Sequence, residues 1–412
     1  MAPSRPGTNA PSVAIAPTLL RTMNQRFLLD WLYRNGPATR PQLARDSGLS
    51  QPTVFATLAN LVEAGLVRPS GQSDEPAGRP ALVYEADPTA GSVLAIDLGI
   101  AAIRVVATDL LGTQLSRVER PNRARNAKPL VEAVRLAALE AAEKAGLELS
   151  AFSSAVVAVP GVYKAAEDRI DYAPHMPGSR QSRLADALSE GLGLPVTVEN
   201  DVNMAALSEY TEGAGRGVSP FAYVHIGTGV GMGLIIDGEL YRGATGAAGE
   251  IGFLPFGPAA EPRALREQGM LERALAAEAV IEYAHTAGAP GDQGVAGIYA
   301  AARAGDPTAL EAVGQQSEML AMLLASVSAV LDPELVVLGG GVGRNLDLLG
   351  EGLTDRLAAL TPLRVRLAVS SLGRDATVRG AVVRGIALAR EIEFAARMSP
   401  GAASADDAQE IS

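Results

Sequence analysis

Two adjacent polar residues, Asn200 and Asp201, lie just beyond a segment that has the composition of a β-strand. Side chains at a strand end lie in the crevice where α/β proteins bind small ligands. An amide beside a carboxylate can both donate and accept hydrogen bonds there. A further carboxylate, Glu250, lies in the glycine-rich segment GATGAAGEIG. These residues predict a binding site for a small polar molecule.

Two glycine-rich segments close to strand ends could approach a phosphate group. HIGTGVGMGLIIDG, residues 225–238, contains Gly227, Thr228 and Gly229, and VVLGGGVGR, residues 336–344, leads from a strand into a helix. Backbone N–H groups exposed at glycines bind anions readily. A tight β-hairpin or a plain turn explains each segment equally well, so neither alone identifies a nucleotide site.

Strand and helix patterns alternate from residue 92 to residue 397, which predicts an α/β domain over that range. Apolar runs such as VLAIDLG, SSAVVAVPG, PVTVEN and LVVLGGG are separated by helical segments rich in Ala and Leu. A strand followed by a glycine turn occurs at IDLG and again at HIGTGVG. This echo predicts two related lobes that face each other across a cleft.

A different pattern occupies residues 18–87, beginning with an amphipathic helix at 18–34. Within TRPQLARDSGLSQPTVFATLANLVEAGLV, Thr39 and Ser50 stand at N-cap positions and each is followed closely by a proline, which predicts two short helices. Gly48 suits the left-handed turn between them. The next segment, GLVRPSGQSDEPAGRPALVYEA, predicts a β-hairpin. Together these elements predict a winged helix-turn-helix.

The second short helix and the hairpin tip carry side chains suited to base edges and phosphates of double-stranded operator DNA. The candidate DNA-binding residues are Ser50, Gln51, Thr53, Thr57 and Arg79. The alternative is a three-helix module that packs against a protein partner, and the balance of seven arginines against seven acidic residues within 18–87 weakens the DNA interpretation. The ordered succession of helix, turn, helix and wing favours DNA binding.

Composition excludes several classes of protein. The 412 residues include no cysteine and three scattered histidines, so neither disulfides nor Cys-ligated metals are expected. No apolar run reaches the length of a transmembrane helix, and residues 1–17 and 398–412 have the composition of disordered tails. We therefore expect a cytoplasmic protein that does not bind membranes. Its net charge of −11 restricts any DNA contact to a local surface.

An ordered series of motifs resembles the ROK family of sugar repressors and sugar kinases over most of the chain from residue 92 to residue 397. The motifs are VAVPG (157–161), ENDVNMAALSE (199–209), GTGVGMG (227–233), GAAGEIG (246–252), GMLE (269–272), LVVLGGGV (335–342) and LGRDATVRGA (372–381). A winged helix precedes this domain, as in the xylose-type repressors of the family. The resemblance implies a two-lobed, actin-like (ribonuclease H-like) fold.

The resemblance also implies the effector site. Its sugar-binding residues correspond to Gly161, His175, Asn200, Asp201, Glu250 and Glu272. In the family's kinases the aspartate is also the base that deprotonates the accepting hydroxyl. His175 stands where the family usually has Asn, which alters one hydroxyl contact. Phe253 and Met270 replace a His and a Cys of the family's zinc site, so no metal is expected.

The first glycine loop departs most from the family pattern. In the resembling kinases this loop reads D-x-G-G-T, whereas AIDLGIAAIRVV has Ile100 and Ala101 at the second glycine and the threonine. A β-branched residue is poorly suited to positive φ, and alanine has no hydroxyl. We therefore expect a degenerate nucleotide site, formed by Asp97, Gly227, Thr228 and Gly229, and no cofactor.

The combined pattern predicts a DNA-binding transcriptional regulator of carbohydrate metabolism, most simply a repressor, that binds a sugar or sugar-derived effector and is not an enzyme. Paired DNA half-sites require a homodimer or homotetramer. One alternative is an ATP-dependent sugar kinase with an accessory DNA-binding domain. Another is a regulator that has lost effector binding, which the retained polar residues of the site argue against.

Overall fold

The computed structural model describes residues 17–73, 80–164, 166–172, 176, 183–256, 261, 265, 268–289 and 294–398. These residues form two compact units. The first contains the chain up to Gly91 together with the end of the last helix from Arg390, and the second runs from Ser92 to Ala389. The sequence pattern places everything up to residue 397 in the second domain, whereas the structure assigns the helix end to the first unit.

The first unit begins with three helices, α1 (Pro17–Asn35), α2 (Arg40–Ser47) and α3 (Gln51–Glu63). Both expected N-caps are confirmed, because the Gln42 amide donates to the Thr39 hydroxyl at 3.4 Å and the Thr53 amide donates to the Ser50 hydroxyl at 3.3 Å. Each cap satisfies a backbone donor that the first helical turn leaves without a partner. Gly48 ends α2 with φ near +70°.

A three-stranded sheet completes this unit. Its strands are β1 (Ala38–Thr39), β2 (Val67–Gln72) and β3 (Leu82–Ala86), in the antiparallel order β1-β3-β2. The hairpin of β2 and β3 is the expected wing, and its tip, residues 74–79, lies outside the described residues. Leucines and valines from all three helices fill the core: Leu28, Leu32, Leu43, Val54, Leu58 and Leu61.

The end of the last helix, α14 (Ala376–Met398), packs within the first unit. The Arg390 guanidinium lies 3.8 Å from the ring centroid of Tyr33 on α1. Arg397 donates to the carbonyl oxygens of Gly65, at 3.0 Å, and Ala90. These contacts join residues far apart in sequence, which explains why local patterns did not indicate them.

The first lobe of the second unit contains a five-stranded sheet in the order β10-β7-β4-β5-β6. Its strands are β4 (Ser92–Leu98), β5 (Ala102–Asp109), β6 (Gln114–Pro121), β7 (Ser154–Val159) and β10 (Val196–Asn200), and a small hairpin is formed by β8 (Val162–Lys164) and β9 (Arg169–Asp171). Helices α4 (Ala127–Ala145) and α5 (Leu184–Leu192) pack on this sheet. Strand β6 is absent from the predicted strands because it is an edge strand with many exposed polar residues.

The second lobe repeats this topology with the order β13-β12-β11-β14-β15. Its strands are β11 (Phe221–Ile226), β12 (Val230–Ile236), β13 (Glu239–Leu240), β14 (Leu335–Gly339) and β15 (Arg366–Val369). In each sheet the first strand pairs antiparallel with the second and parallel with the fourth. The echo of IDLG and HIGTGVG therefore reflects two lobes with the same strand order, as expected.

Helices surround the second sheet and connect the two lobes. They are α6 (Asp201–Thr211), α7 (Met270–Leu275), α8 (Ala277–Thr286), α9 (Gly294–Arg303), α10 (Pro307–Leu331), α11 (Gly340–Gly343), α12 (Leu346–Leu349), α13 (Leu353–Leu360) and the part of α14 up to Ala389. Short 3₁₀ turns lie at Pro88–Ala90, Leu149–Ala151, Ile251–Phe253 and Gly373–Asp375. Among the helices of the described ranges, none combines the length and apolarity needed to cross a bilayer.

Candidate functional site

The outward face of α3 is the candidate DNA-binding surface. Ser50 and Gln51 are exposed and Thr53 is partly exposed, so all three are accessible as the sequence analysis proposes. Thr57 is only 4% exposed and packs in the core, which contradicts its assignment as a DNA contact. Thr57 shares the helical phase of Val54, Leu58 and Leu61, so its position on the buried face follows from the 3.6-residue period. Arg79 lies outside the described residues.

Other side chains fix the orientation of α3. The Arg21 guanidinium of α1 donates to the Asn60 side-chain oxygen at 2.9 Å. Asn60 is therefore held by the neighbouring helix. The exposed residues that remain on α3 are Gln51, Pro52, Phe55, Ala56, Ala59 and Glu63. From Gln51 to Ala59 this face carries no charged side chain, and that part suits the apolar and amide-bearing edges of bases rather than phosphate groups.

The candidate effector site begins at the junction of β10 and α6. Asn200 caps α6, because its side-chain oxygen accepts the Asn203 amide at 2.8 Å. Its side-chain amide donates to the carbonyl oxygen of Gly161 at 3.0 Å. Asn200 thus joins the helix start to the loop after β7, and Gly161 adopts φ near +86° there. The structure brings these two predicted site residues together.

Four carboxyl groups, those of Asp97, Asp201, Glu250 and Glu272, form a cluster in which each lies close enough to influence a neighbour. Burial, strengthened by the nearby charges of Asp97 and Glu250, raises the pKa of Asp201 to about 7. Burial and the Glu272 charge raise the pKa of Glu250 to about 7. The Glu272 carboxylate accepts the Val230 amide at 3.0 Å. Asp201 and Glu250 therefore change protonation near neutral pH and can donate as well as accept hydrogen bonds.

Glycines allow the backbone to approach these carboxyl groups. Gly249 has φ near +90°, and a Cβ atom there would lie 1.8 Å from the Met232 carbonyl oxygen. The two backbone segments are also joined by a hydrogen bond, which the Met232 amide donates to the Gly249 carbonyl at 2.9 Å. Any side chain at this position would displace the loop that carries Glu250. The glycine therefore fixes the distance between that loop and β12.

An aromatic pair occupies the place where the resembling family has its zinc-binding histidine. The Phe253 ring contacts the Tyr172 ring edge to face, with centroids 5.2 Å apart. Phe253 and Met270 offer no imidazole or thiolate, so these two positions do not fit a zinc ion. Across the ranges that the structure describes, no three His, Cys, Asp or Glu side chains converge on a possible metal position. His175 lies outside those ranges.

A cavity of about 330 Å³ is lined in part by Asn200. Glu199 lies in its wall and receives hydrogen bonds from Arg242 at 2.7 Å and Arg384 at 3.0 Å. Tyr163 and Asn203 also line the cavity. The sequence analysis did not select Glu199 or its arginines, because the arginines come from distant segments. Asp201, Glu250 and Glu272 do not line this cavity, which lies beside the carboxyl cluster.

The first glycine loop is closed by an ion pair. Asp97 is buried and its carboxylate accepts the Arg104 guanidinium at 2.7 Å. Ile100 at the turn is 44% exposed. Asp97 is thus paired with an arginine from the adjacent strand, and the turn lacks the second glycine and the threonine of the D-x-G-G-T loop. The residues present do not fit bound Mg²⁺–ATP.

The second glycine loop forms the turn of the β11–β12 hairpin. Ile226 pairs with Val230, and the Gly227 amide donates to the Gly229 carbonyl at 2.9 Å. His225 near the end of β11 is partly buried, and the loss of hydration lowers the pKa of its imidazole to about 4, so the imidazole is neutral at physiological pH. The hairpin interpretation of this segment is thereby confirmed.

The fold is thus a winged helix joined to a two-lobed, actin-like domain with a polar cleft. A ROK family model matches residues 93–388, and a MarR family model matches residues 21–79. The chain belongs to the ROK family, and its N-terminal unit is a MarR-type winged helix. The resemblance inferred from the motifs is therefore confirmed.

Known proteins similar to this chain include repressors and kinases. The xylose repressor of Bacillus subtilis is 28% identical over 58% of this chain and 61% of its own length. The glucokinase of Halalkalibacterium halodurans is 34% identical over 49% of this chain and 67% of its own. A crystal structure of a ROK family transcriptional regulator, a homologue of the E. coli MLC protein, matches with a TM-score of 0.74 and 22% identity, covering 92% of this chain and 99% of that one. This structural likeness shows the fold.

Proposed function

We propose that the chain is a sugar-responsive transcriptional repressor of carbohydrate metabolism that acts in the cytoplasm. The observation that carries this proposal is the capped helix α3, whose exposed face, uncharged from Gln51 to Ala59, belongs to a winged helix that precedes a ROK domain. Ser50, Gln51 and Thr53 contact operator DNA, and Arg79 of the wing contributes a phosphate or minor-groove contact. The similarity to xylose repressors supports the same function.

The effector is a sugar or a sugar-derived molecule that binds beside Asn200 and Asp201. Asp201, Glu250 and Glu272 accept or donate hydrogen bonds to its hydroxyl groups, and Gly161 and His175 complete the site. Phe253 lies three residues after Glu250 in the sequence, and its ring pairs with that of Tyr172. This aromatic pair offers an apolar surface to the ligand. Binding that favours one lobe arrangement over another shifts the population of DNA-binding conformers. Two half-sites require a homodimer or a homotetramer.

Sugar phosphorylation is the second candidate function. A carboxyl group with a pKa near 7, such as Asp201, is well suited to act as a general base. The similarity to glucokinases supports it as well. The ion pair of Asp97 and Arg104, together with Ile100 in place of glycine, opposes it, because phosphoryl transfer needs a bound Mg²⁺–nucleotide complex. We therefore propose that the chain lacks kinase activity.

A mobility shift on the DNA upstream of the protein's own gene tests both functions. The assay is run with a panel of sugars and with ATP and Mg²⁺, while ADP release is measured in parallel. We expect specific DNA retention that one sugar changes, and no sugar-dependent ADP release. Sugar-dependent ADP release without specific DNA retention at moderate salt would establish the kinase instead.

Variants of Asp201 link the response to the cleft. Asp201→Ala should abolish the sugar response and leave DNA affinity within twofold of the wild type. Asp186→Ala is a matched control, because Asp186 is an exposed aspartate near the start of helix α5. An unchanged sugar response in Asp201→Ala would remove this residue from the effector site.

A further inference from the structure

The recognition helix α3 carries an exposed aromatic side chain. Phe55 is 54% exposed and lies one helical turn after Gln51 on the same face. A single exposed apolar side chain is common on protein surfaces, so the significance of Phe55 comes from its place on the recognition helix. Its neighbour Ala56 is exposed and small, so Ala56 itself does not hinder a base that approaches the ring.

Arg40 at the start of α2 holds the Phe55 ring from behind. Its guanidinium carbon lies 4.5 Å from the Phe55 ring centroid and 5.0 Å from that of Tyr84 on the wing strand β3. It also donates a hydrogen bond to the Tyr84 hydroxyl. Tyr84 is almost fully buried, so it anchors the guanidinium to the core. Cation–π contacts of this geometry restrict the ring to one orientation.

The Arg40 Nε atom is buried, and the structure shows no hydrogen-bond acceptor for it within the described residues. The guanidinium is therefore held mainly by two aromatic faces and one hydroxyl. An arginine used in this way is not extended toward a phosphate group. Its position beside Phe55 instead holds the ring, whose other edge is exposed to solvent.

We propose that Phe55 contacts the 5-methyl group of a thymine in the major groove and that Arg40 is the positioning residue for its ring. A phenylalanine ring is among the side chains that discriminate thymine by apolar contact. Gln51, one turn earlier, is suited to the adjacent adenine edge. This inference rests on the DNA-binding function of α3 and adds a base preference to it: each half-site contains a thymine read through its methyl group.

Deoxyuridine substitution tests the contact, because it removes the 5-methyl group and leaves base pairing unchanged. A preferred duplex is first selected from random DNA with the full-length wild-type protein. Each thymine is then replaced in turn, and affinities of the wild type and Phe55→Ala are measured at one salt concentration. At one thymine in each half-site the wild type should lose about fourfold, the effect of burying one methyl-sized group, and Phe55→Ala should lose nothing.

Three further variants separate the roles of the residues. Phe55→Leu should retain part of the methyl dependence. Arg40→Gln should reduce it, and Arg40→Lys, which keeps a cation over the rings, should restore part of it. Phe27→Ala is the matched control, because Phe27 is an exposed phenylalanine of the same unit on a different helix; it should keep the wild-type dependence.

Several outcomes would overturn the inference. Equal losses for the wild type and Phe55→Ala at every thymine, with tight specific binding by both, would show that Phe55 does not read a methyl group. A change of oligomeric state in Phe55→Ala without a change in methyl dependence would assign the ring to a protein interface. Failure of the wild type to select any duplex would overturn the DNA-binding function itself, and that result is distinct from the first two.

Discussion

Removal of the Arg104 side chain should strongly destabilise the second unit. Arg104 and Asp97 face each other on adjacent antiparallel strands, and their side chains are 18% and 9% exposed. Arg104→Ala leaves the Asp97 carboxyl buried without its closest cation. Glu119, 3.5 Å from Arg104, is an additional acidic neighbour and cannot replace it. The Asp97 carboxyl must then be buried as an uncompensated charge or bind a proton.

Breaking a buried ion pair by removal of one partner costs about 3–5 kcal/mol in the free energy of unfolding. The lower end of this range applies here, because Arg104 keeps some access to water and because Asp97 can be protonated. Burial already raises the pKa of Asp97, and Arg104 opposes that rise. Loss of Arg104 therefore raises the pKa further. Since the folded variant then binds a proton more tightly than the unfolded chain, its stability falls as pH rises.

Urea unfolding followed by far-ultraviolet circular dichroism at pH 8 and pH 5 measures this effect, because most of the helices and strands belong to the second unit. Arg104→Ala should lose about 3 kcal/mol at pH 8 and less at pH 5. Asp97→Asn/Arg104→Gln, which removes both charges, is the matched control and should recover most of the loss. A loss below about 0.5 kcal/mol, typical of a surface pair, would show that Asp97 is hydrated as in an open nucleotide loop.

Three other variants test the cleft and the DNA-binding unit. Asp201→Asn should stabilise the protein increasingly as pH rises from about 4 to about 7, because burial raises the pKa of Asp201 in the folded state from 3.8 to about 7. A difference in free energy of unfolding between variant and wild type that stays constant with pH in urea unfolding would contradict this. Arg397→Met should lower the free energy of unfolding of the first unit by about 1.5–3 kcal/mol, because its hydrogen bonds to backbone carbonyls are lost. The fluorescence of the single tryptophan, which lies in α1, measures this unfolding. Arg379→Met is the control and should cost little, because Arg379 is an exposed arginine of the same helix. Ser50→Ala should cost about 1 kcal/mol in the same assay, and Thr57→Ala should lower stability without changing the DNA sequence selected.

The sequence predicted features that depend on local chemistry. The N-caps at Thr39 and Ser50 and the glycine turn at Gly48 follow from side-chain type and position alone, and the structure contains all three. Thr57 could have been placed correctly from helical phase, since it lies three residues after Val54 and four before Leu61, both buried. The hydroxyl group of Thr57 suits a DNA contact, but the helical phase places that hydroxyl in the core.

Other features depend on pairing between segments. Arg104 is the direct cross-strand partner of Asp97, a relation that becomes apparent only when the register of the hairpin is known. The contacts of Arg384 with Glu199 and of Arg397 with Gly65 join residues separated by 185 and 332 positions. No periodicity or spacing in a single sequence specifies contacts at that distance. The charged groups that close the nucleotide loop and line the cavity were therefore found only in the structure.

Under the proposed function, a kinase-like fold can serve a regulator because different segments form its sugar subsite and its phosphate subsite. The proposed sugar-binding groups lie at the end of β10 and in the loop that carries Glu250, whereas the proposed phosphate subsite lies at the turn between β4 and β5. At that turn Arg104 pairs with Asp97, while Asn200 keeps its contact with Gly161. A ligand that is bound and not consumed can shift a conformational equilibrium by as much as the ratio of its affinities for the two states. If the chain lacks kinase activity as proposed, the effector is a stable signal, because the protein that detects the sugar does not deplete it.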